Sequence, residues 1–354
     1  SGKMKFAFGL FALLALIYAI KSQVVYRKVK VSDNIFSFIY PNSANDWIDG
    51  NCTVIFGKDQ VFVVDATLTP KTAQTVVEFI KSKTTNPVKF LLVTHWHYDH
   101  SLGAESFKKA YPQMEIVSGK MTDTLMKSNY EEYHGGIDGF GVYVDTFKTE
   151  LERGTLANGT KLSEYELSRR KTAISYADFY MPELKKATQL WPTVTFEDSL
   201  NFDIGNNEIK VFGYGCGHTE NDAFVFIPKE KVLIAGDLVV HPVPMAFSVF
   251  PSKWINTLKQ ISALDFDIII PGHGDVVYGK EYLFTLINLL EFVYDEVSRF
   301  SSEGKTIKEI FKLADKEKAK NIIGVDTDDK KWAFDYHFYA GLIYSIYNEL
   351  NPKK

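Results

Sequence analysis

Residues 91–103 read LLVTHWHYDHSLG, an apolar run that opens into four side chains able to bind a metal: His95, His97, Asp99 and His100. Val88–Val93 has the composition of a buried strand ending at Thr94. Side chains two apart on an extended segment share a side, which groups His95 with His97. Asp99 and His100 follow where the chain turns toward a helix over Leu102–Ala110. Three more candidates stand at the ends of later strands: His218 in GYGCGHTEND, Asp237 closing KVLIAGD, and His273 in IIIPGHGD. One histidine-rich loop could simply cap a helix. Four strand ends carrying imidazoles and carboxylates instead require a rigid scaffold with functional loops. Imidazole and carboxylate suit zinc and related divalent ions.

The pattern around these motifs alternates. Thr53–Phe56 and Gln60–Asp65 flank Gly57-Lys58-Asp59 and predict a hairpin. Thr69–Ser82 has helical spacing, and Glu115–Ser118 reads as a strand. Such alternation argues for an α/β layered fold. Residues from about 121 to 190 are rich in Tyr, Lys and Glu with helical periodicity, which predicts a helical insertion over one face. Strands resume at Val194–Phe196, Glu208–Phe212, Ala223–Ile227 and Lys231–Ala235. A helix over Trp254–Leu264 and a buried strand at Phe266–Ile270 follow. After Gly279 the pattern is helical to the end, with Tyr282, Leu283, Leu286, Leu290, Val293 and Val297 in one stripe. Thr306-Ile307-Lys308-Glu309 has the form of a capping box.

The first residues set an expected location. Lys3 and Lys5 precede the apolar run Phe6–Ile20, which predicts a signal or targeting segment over 1–22. A periplasmic or secreted protein follows, with an uncleaved leader as its one expected membrane contact. The catalytic domain is then 23–278, and 279–354 form C-terminal helices. A net charge of −4 gives no electrostatic footprint for nucleic acid, so the expected partner is a small-molecule substrate. The two cysteines, Cys52 and Cys216, permit one disulfide or two free thiols. Nothing in the sequence sets the oligomeric state.

The order HxHxDH, then GHT, then an apolar strand ending in GD, then PGHG resembles the metallo-β-lactamase superfamily, over roughly Val31 to Tyr278. The resemblance implies an αββα sandwich with metals at one edge of its two sheets. It implies two Zn2+ ions: His95, His97 and His218 on the first, Asp99, His100 and His273 on the second, and Asp237 bridging both. Asp65 would support the ligands from behind. Two metals about 3.5–4 Å apart share a water and lower its pKa toward neutrality. The implied activity is a zinc-dependent hydrolase attacking an ester, thioester, lactone or amide-like bond, with Asp99 orienting the nucleophile and relaying its proton.

The alternatives are a true β-lactamase, a non-catalytic metal-binding protein and an iron-dependent redox enzyme. One zinc β-lactamase subclass has a cysteine where Asp237 stands, a lysine where Val240 stands, and no histidine at His100. These three departures point away from penicillin or cephalosporin hydrolysis. His100 with Asp237 is instead shared by thioesterases of the glyoxalase II type, lactonases and alkylsulfatases. Flavo-diiron relatives carry a glutamate at His97, which points away from iron.

Other residues carry less. His241 in LVVHPVPMAF, His134 in EEYHGG and Trp47 before the first strand are candidates for substrate contact. His337 reads as packing or surface, and Asp49 and Asn51 read as an ordinary polar loop. Tyr98, Tyr130, Tyr133, Phe140, Tyr143 and Phe179 read mostly as core, with a few lining an apolar pocket.

Overall fold

Strands buried on both faces dominate the centre of this chain, because two sheets stack face to face and each is covered outside by helices. The computed structural model describes residues 26–40, 49–247 and 249–352, with side chains throughout except over 131–141. The leader expected over 1–22 and Trp47 lie outside the described residues.

The first sheet runs in sequence order: β1 (Arg27–Lys30), β2 (Ile35–Ile39), β3 (Cys52–Phe56), β4 (Val61–Val64), β5 (Val88–Leu92), β6 (Glu115–Gly119) and β7 (Val194–Phe196). β3 and β4 form the expected hairpin, with Phe56 opposite Val61. The second sheet has the order β13-β12-β11-β10-β9-β8. Its strands are β8 (Ser199–Asp203), β9 (Glu208–Gly215), β10 (Asp222–Ile227), β11 (Val232–Val240), β12 (Ile268–His273) and β13 (Val277–Tyr278).

Alternation explains why β4 is apolar at every position. Phe62 and Val64 face inward with Ile55, Val211, Val225, Ile234 and Ile270. Val61 and Val63 face outward against helix α1 (Pro70–Lys83) through Val76, Val77 and Ile80. A strand covered on both sides has no solvent face and reads as a continuous apolar run. Thr69 caps α1 in a capping box with Thr72, and Pro70 fits its first turn.

After the short α2 (Ala104–Ala110), the insertion is helical as expected: α3 (Lys120–Ser128), α4 (Tyr130–Arg153) and α5 (Glu164–Leu184). Ala177, Tyr180 and Leu184 of α5 join the outer cluster of the first sheet. The second sheet is covered by α6 (Pro251–Ser262), which buries Trp254, and by α7 (Glu281–Ser302), which buries Leu283, Leu286, Leu290, Val293 and Val297. The layers are therefore α, β, β, α. The box at Thr306 and Glu309 caps α8 (Ile307–Leu313). Farther on, α9 (Lys316–Ile323), α10 (Asp328–Ala333), a π-helical turn (Phe334–Tyr339) and α11 (Ala340–Leu350) complete the chain.

Four details differ from the sequence reading. β1, β2, β8 and β13 are strands the spacing does not announce. β11 does not stop at Ala235 but reaches Val240, because Gly236 takes a left-handed φ of 52° and the ladder shifts register there. β12 starts at Ile268, and the insertion starts at Lys120. Both cysteines are free thiols, so the disulfide option is not realised. Among the described residues, no helix is long and apolar enough to cross a membrane.

Candidate metal centre

The ends of β5, β9, β11 and β12 meet at one edge of the sandwich, and the polypeptide is tied there across the two sheets. Thr94, just past β5, accepts from the N–H of Ala223 at 2.7 Å. Gly236 allows the approach: a Cβ there would lie 2.9 Å from Thr94 Oγ1 of the other sheet. Within the second sheet, a Cβ on Gly272 would collide with Asp237 Oδ1.

The seven predicted ligands come together in two groups. His95, His97, His218 and Asp237 form one, and Asp99, His100 and His273 the other, with the ligand atoms of each within 4.8 Å of one another. In the first, His97 Nδ1 lies 3.1 Å from both His95 Nε2 and His218 Nε2. In the second, His100 Nε2 and His273 Nε2 are 3.2 Å apart, and Asp99 Oδ2 lies 3.2 and 3.0 Å from them. Asp237 stands between the groups. Its Oδ1 is 3.3 Å from His100 Nε2, and its Oδ2 is 3.3 Å from both His218 Nε2 and His273 Nε2. Five of the seven are buried; Asp99 has a side chain 20% exposed, and His97 is half-buried.

This geometry fits metal ions on its own terms. Three ring nitrogens converge in the first group and two ring nitrogens with a carboxylate oxygen in the second, an arrangement satisfied best around a cation in each. Charge supports this reading. Burial depresses His95 and His218, and it pushes His97 down to about 3, so all three offer lone pairs. Burial also opposes charge on His100 and His273. There Asp99 and Asp237 outweigh it, holding His100 well above the usual range and His273 up to about 9. Burial would raise Asp99 and Asp237, yet the histidines keep both carboxyls well below the ordinary range.

Behind the ligands, Asp65 takes the supporting position expected of it. It follows β4 with φ 60°, a conformation aspartate tolerates better than most residues. Its Oδ1 accepts from Thr94 N at 2.8 Å. Its Oδ2 accepts from Thr94 Oγ1 at 3.0 Å and lies 2.8 Å from His100 Nδ1. Thr94 Oγ1 is also 3.0 Å from His95 Nδ1. One carboxylate thus holds the Nδ1–H tautomer of His100 directly and of His95 through a hydroxyl, leaving both Nε2 atoms free to ligate.

The weaker candidates fare differently. The N–H of His241 donates to His273 O at 3.1 Å, but its ring lies edge-on to Tyr282 of α7 at 4.9 Å. His134 lies on α4, and its side chain is outside the described residues. His337 is packing, as expected: its ring meets Phe247 and Trp332, and burial with nearby Arg169 lowers its pKa to about 4. Tyr98, Phe179 and Trp96 pack against the outer cluster of the first sheet. Thr94 and Asp222 are functional positions that no motif signals. Asp222 accepts from Thr219 N and Oγ1 and fixes the turn carrying His218.

The metallo-beta-lactamase superfamily model matches residues 45–273. A linear primary-alkylsulfatase from a Pseudomonas species is 21% identical over 272 residues, 73% of this chain and 48% of that protein. The metallo-beta-lactamase type 2 of Bacillus cereus is 23% identical over 163 residues, 44% of this chain and 53% of that one. The chain spans about half the length of these curated relatives. Among solved structures, the inverting sec-alkylsulfatase Pisa1 from a Pseudomonas species superposes with a TM-score of 0.63 at 14% identity, over 93% of this chain and 51% of that one. A metallo-beta-lactamase from Pontibacter korlensis gives 0.54 at 17% identity, over 75% of this chain and 99% of that one. At these identities the likeness is one of fold.

Proposed function

This chain belongs to the metallo-β-lactamase superfamily, and from that premise we propose that it is a dinuclear zinc hydrolase of a small-molecule substrate. The observation that carries the reading is Asp237, whose two oxygens reach ligands of both groups. His95, His97 and His218 would hold the first ion, and Asp99, His100 and His273 the second, with Asp237 shared. When bound, the two ions supply an acidified water and Lewis acidity at the oxygen that becomes negative. The protein supplies the rest. Asp65 and Thr94 orient His95 and His100. Asp99 is the carboxylate ligand that reaches solvent, so it is placed to hold the proton of the attacking water and pass it to the leaving group.

Esters, thioesters, lactones and amide-like bonds fit this chemistry. A second reading, hydrolysis of an alkyl sulfate ester, is supported by the likeness to the linear primary-alkylsulfatase, which reaches over 73% of the chain against 44% for the Bacillus cereus enzyme. β-Lactam hydrolysis is the competing reading. The apolar run Phe6–Ile20 supports export. The test is a panel of those bond types, with a chromogenic cephalosporin, on protein loaded with zinc and analysed for metal. Turnover of one class with zinc bound is expected. No turnover of any class refutes the hydrolase reading, and iron as the native metal refutes the zinc reading.

A further inference from the structure

Asp49, Gly50 and Asn51 form a short turn that braces the loops carrying one ligand group. Asn51 directly precedes β3 of the first sheet and is 4% exposed. Its N–H donates to Gly272 O at 2.7 Å. Its side-chain amide donates to Pro271 O and to Gly274 O, each at 2.9 Å. Its Oδ1 accepts from Tyr40 N at 3.3 Å. The three carbonyls it grips lie on both sides of His273, at the end of the second sheet. Gly50 is pressed against the other two ligands of the same group. A Cβ there would lie 2.6 Å from Asp99 O and 2.9 Å from the His100 ring. Asp49 completes the brace by accepting from Leu68 N at 2.6 Å and from Tyr180 of the insertion at 3.1 Å. The first group has its own supports, Thr94 behind His95 and Asp222 beneath the His218 turn.

We propose that Asn51 is a positioning residue that sets the affinity of the Asp99–His100–His273 metal position without ligating it. The inference rests on the two-metal reading of the site. Both amide hydrogens are committed to carbonyls flanking His273, so the side chain clamps that turn from the opposite sheet. Aspartate has the same size and could still accept from Tyr40. Its oxygens would repel Pro271 O and Gly274 O instead of donating to them. Outer partners of this kind, when removed, change metal affinity by about 10–100-fold.

The test is a titration of the metal-free full chain with Zn2+ against a chromophoric chelator, and with Co2+ followed by its visible absorption. The wild-type protein is expected to take up two equivalents. Asn51→Ala should bind the first as the wild type does and the second about 10–100-fold more weakly. Asn51→Asp should lose as much, and it carries the test if the alanine variant does not fold. Second-equivalent affinities within twofold of wild type in both variants would overturn the proposal. So would equal weakening of both equivalents with a lower melting temperature of the metal-free form, which marks a general structural role. A wild-type chain that binds fewer than two equivalents would overturn the dinuclear reading and this inference together. Hydrolysis is not read in this titration, so an inactive protein that binds two ions refutes only the hydrolase reading.

Discussion

Replacing Asp65 by asparagine tests how the protein prepares its histidines. Asp65→Ala is the wrong experiment. Asp65 is 2% exposed, and its carboxylate serves Thr94 N, Thr94 Oγ1 and His100 Nδ1. Orphaning three buried polar groups costs about 1–3 kcal/mol each. The sum, about 3–9 kcal/mol, rivals the whole stability of a typical protein. Asparagine keeps the shape and reverses one polarity. Its oxygen would stay on Thr94 N, because the opposite flip sets donor against donor. Its NH2 then replaces Oδ2 and donates to His100 Nδ1 and Thr94 Oγ1. His100 must move its proton to Nε2. Thr94 must turn its hydroxyl toward His95 Nδ1, which sends the His95 proton to Nε2 as well. One ligand in each group loses its lone pair, so both metal equivalents should weaken by about 10–100-fold, or about 1.4–2.8 kcal/mol. The assay is the same zinc and cobalt titration of metal-free protein, with urea unfolding to confirm the fold. Affinities within about threefold of wild type for both equivalents would refute the tautomer argument. Weakening of the second alone would refute the Thr94 relay.

Gly272→Ala places a Cβ against Asp237 Oδ1 and the Gly236 carbonyl carbon, so overpacking should cost about 1–3 kcal/mol in urea unfolding and disturb metal binding. A variant as stable as wild type and still binding two equivalents would contradict the packing described. Asp49 is pushed up to about 7 by burial, so the folded protein binds a proton that the unfolded chain releases near pH 4. Stability contributed by this proton is present at low pH and is lost as pH rises through about 7, by up to about 1.4 kcal/mol per unit. Asp49→Asn lacks the term, so its melting temperature relative to wild type should climb across that window and level above it; a constant difference would refute the assignment. Chelation should lower the melting temperature, since ligand at 100 times its Kd contributes about 2.7 kcal/mol per ion. A melting temperature indifferent to chelator would count against both ion positions.

The sequence reveals the ligands because their chemistry is local: apolar strands that end abruptly in imidazole and carboxylate can be read without knowing what they face. The same holds for the hairpin around Gly57 and for the capped helix at Thr306. The strands that escape notice have weaker local signals. β8 alternates only between exposed and half-buried positions, and β1 is a charged edge strand, RKVK. β11 runs past its apolar signal because Gly236 bends the strand, shifts its register and lets it resume to Val240. Asn51 is illegible for a different reason. The carbonyls that its side-chain amide grips lie 220 and 223 positions away, so nothing near it in the sequence distinguishes a clamp from a surface loop. Thr94 is equally silent, an ordinary strand-end threonine until Asp65 and His95 are placed on either side of it.

Each ligand group is assembled from both sheets. His95 and His97 leave the first sheet to meet His218 and Asp237 of the second, and Asp99 and His100 meet His273 in the same way. The contacts beneath the ligands cross the same gap, from Ala223 to Thr94 and from Asn51 to Pro271, Gly272 and Gly274. An ion bound at this edge would therefore bridge the two sheets as these contacts do. Whatever separates the sheets there pulls each group apart at once, and an ion held by both halves resists that separation. This explains the glycine at position 236. The backbones must come close enough for donors on one sheet to share an ion with donors on the other, and a single Cβ at Gly236 would stand in the way, against Thr94.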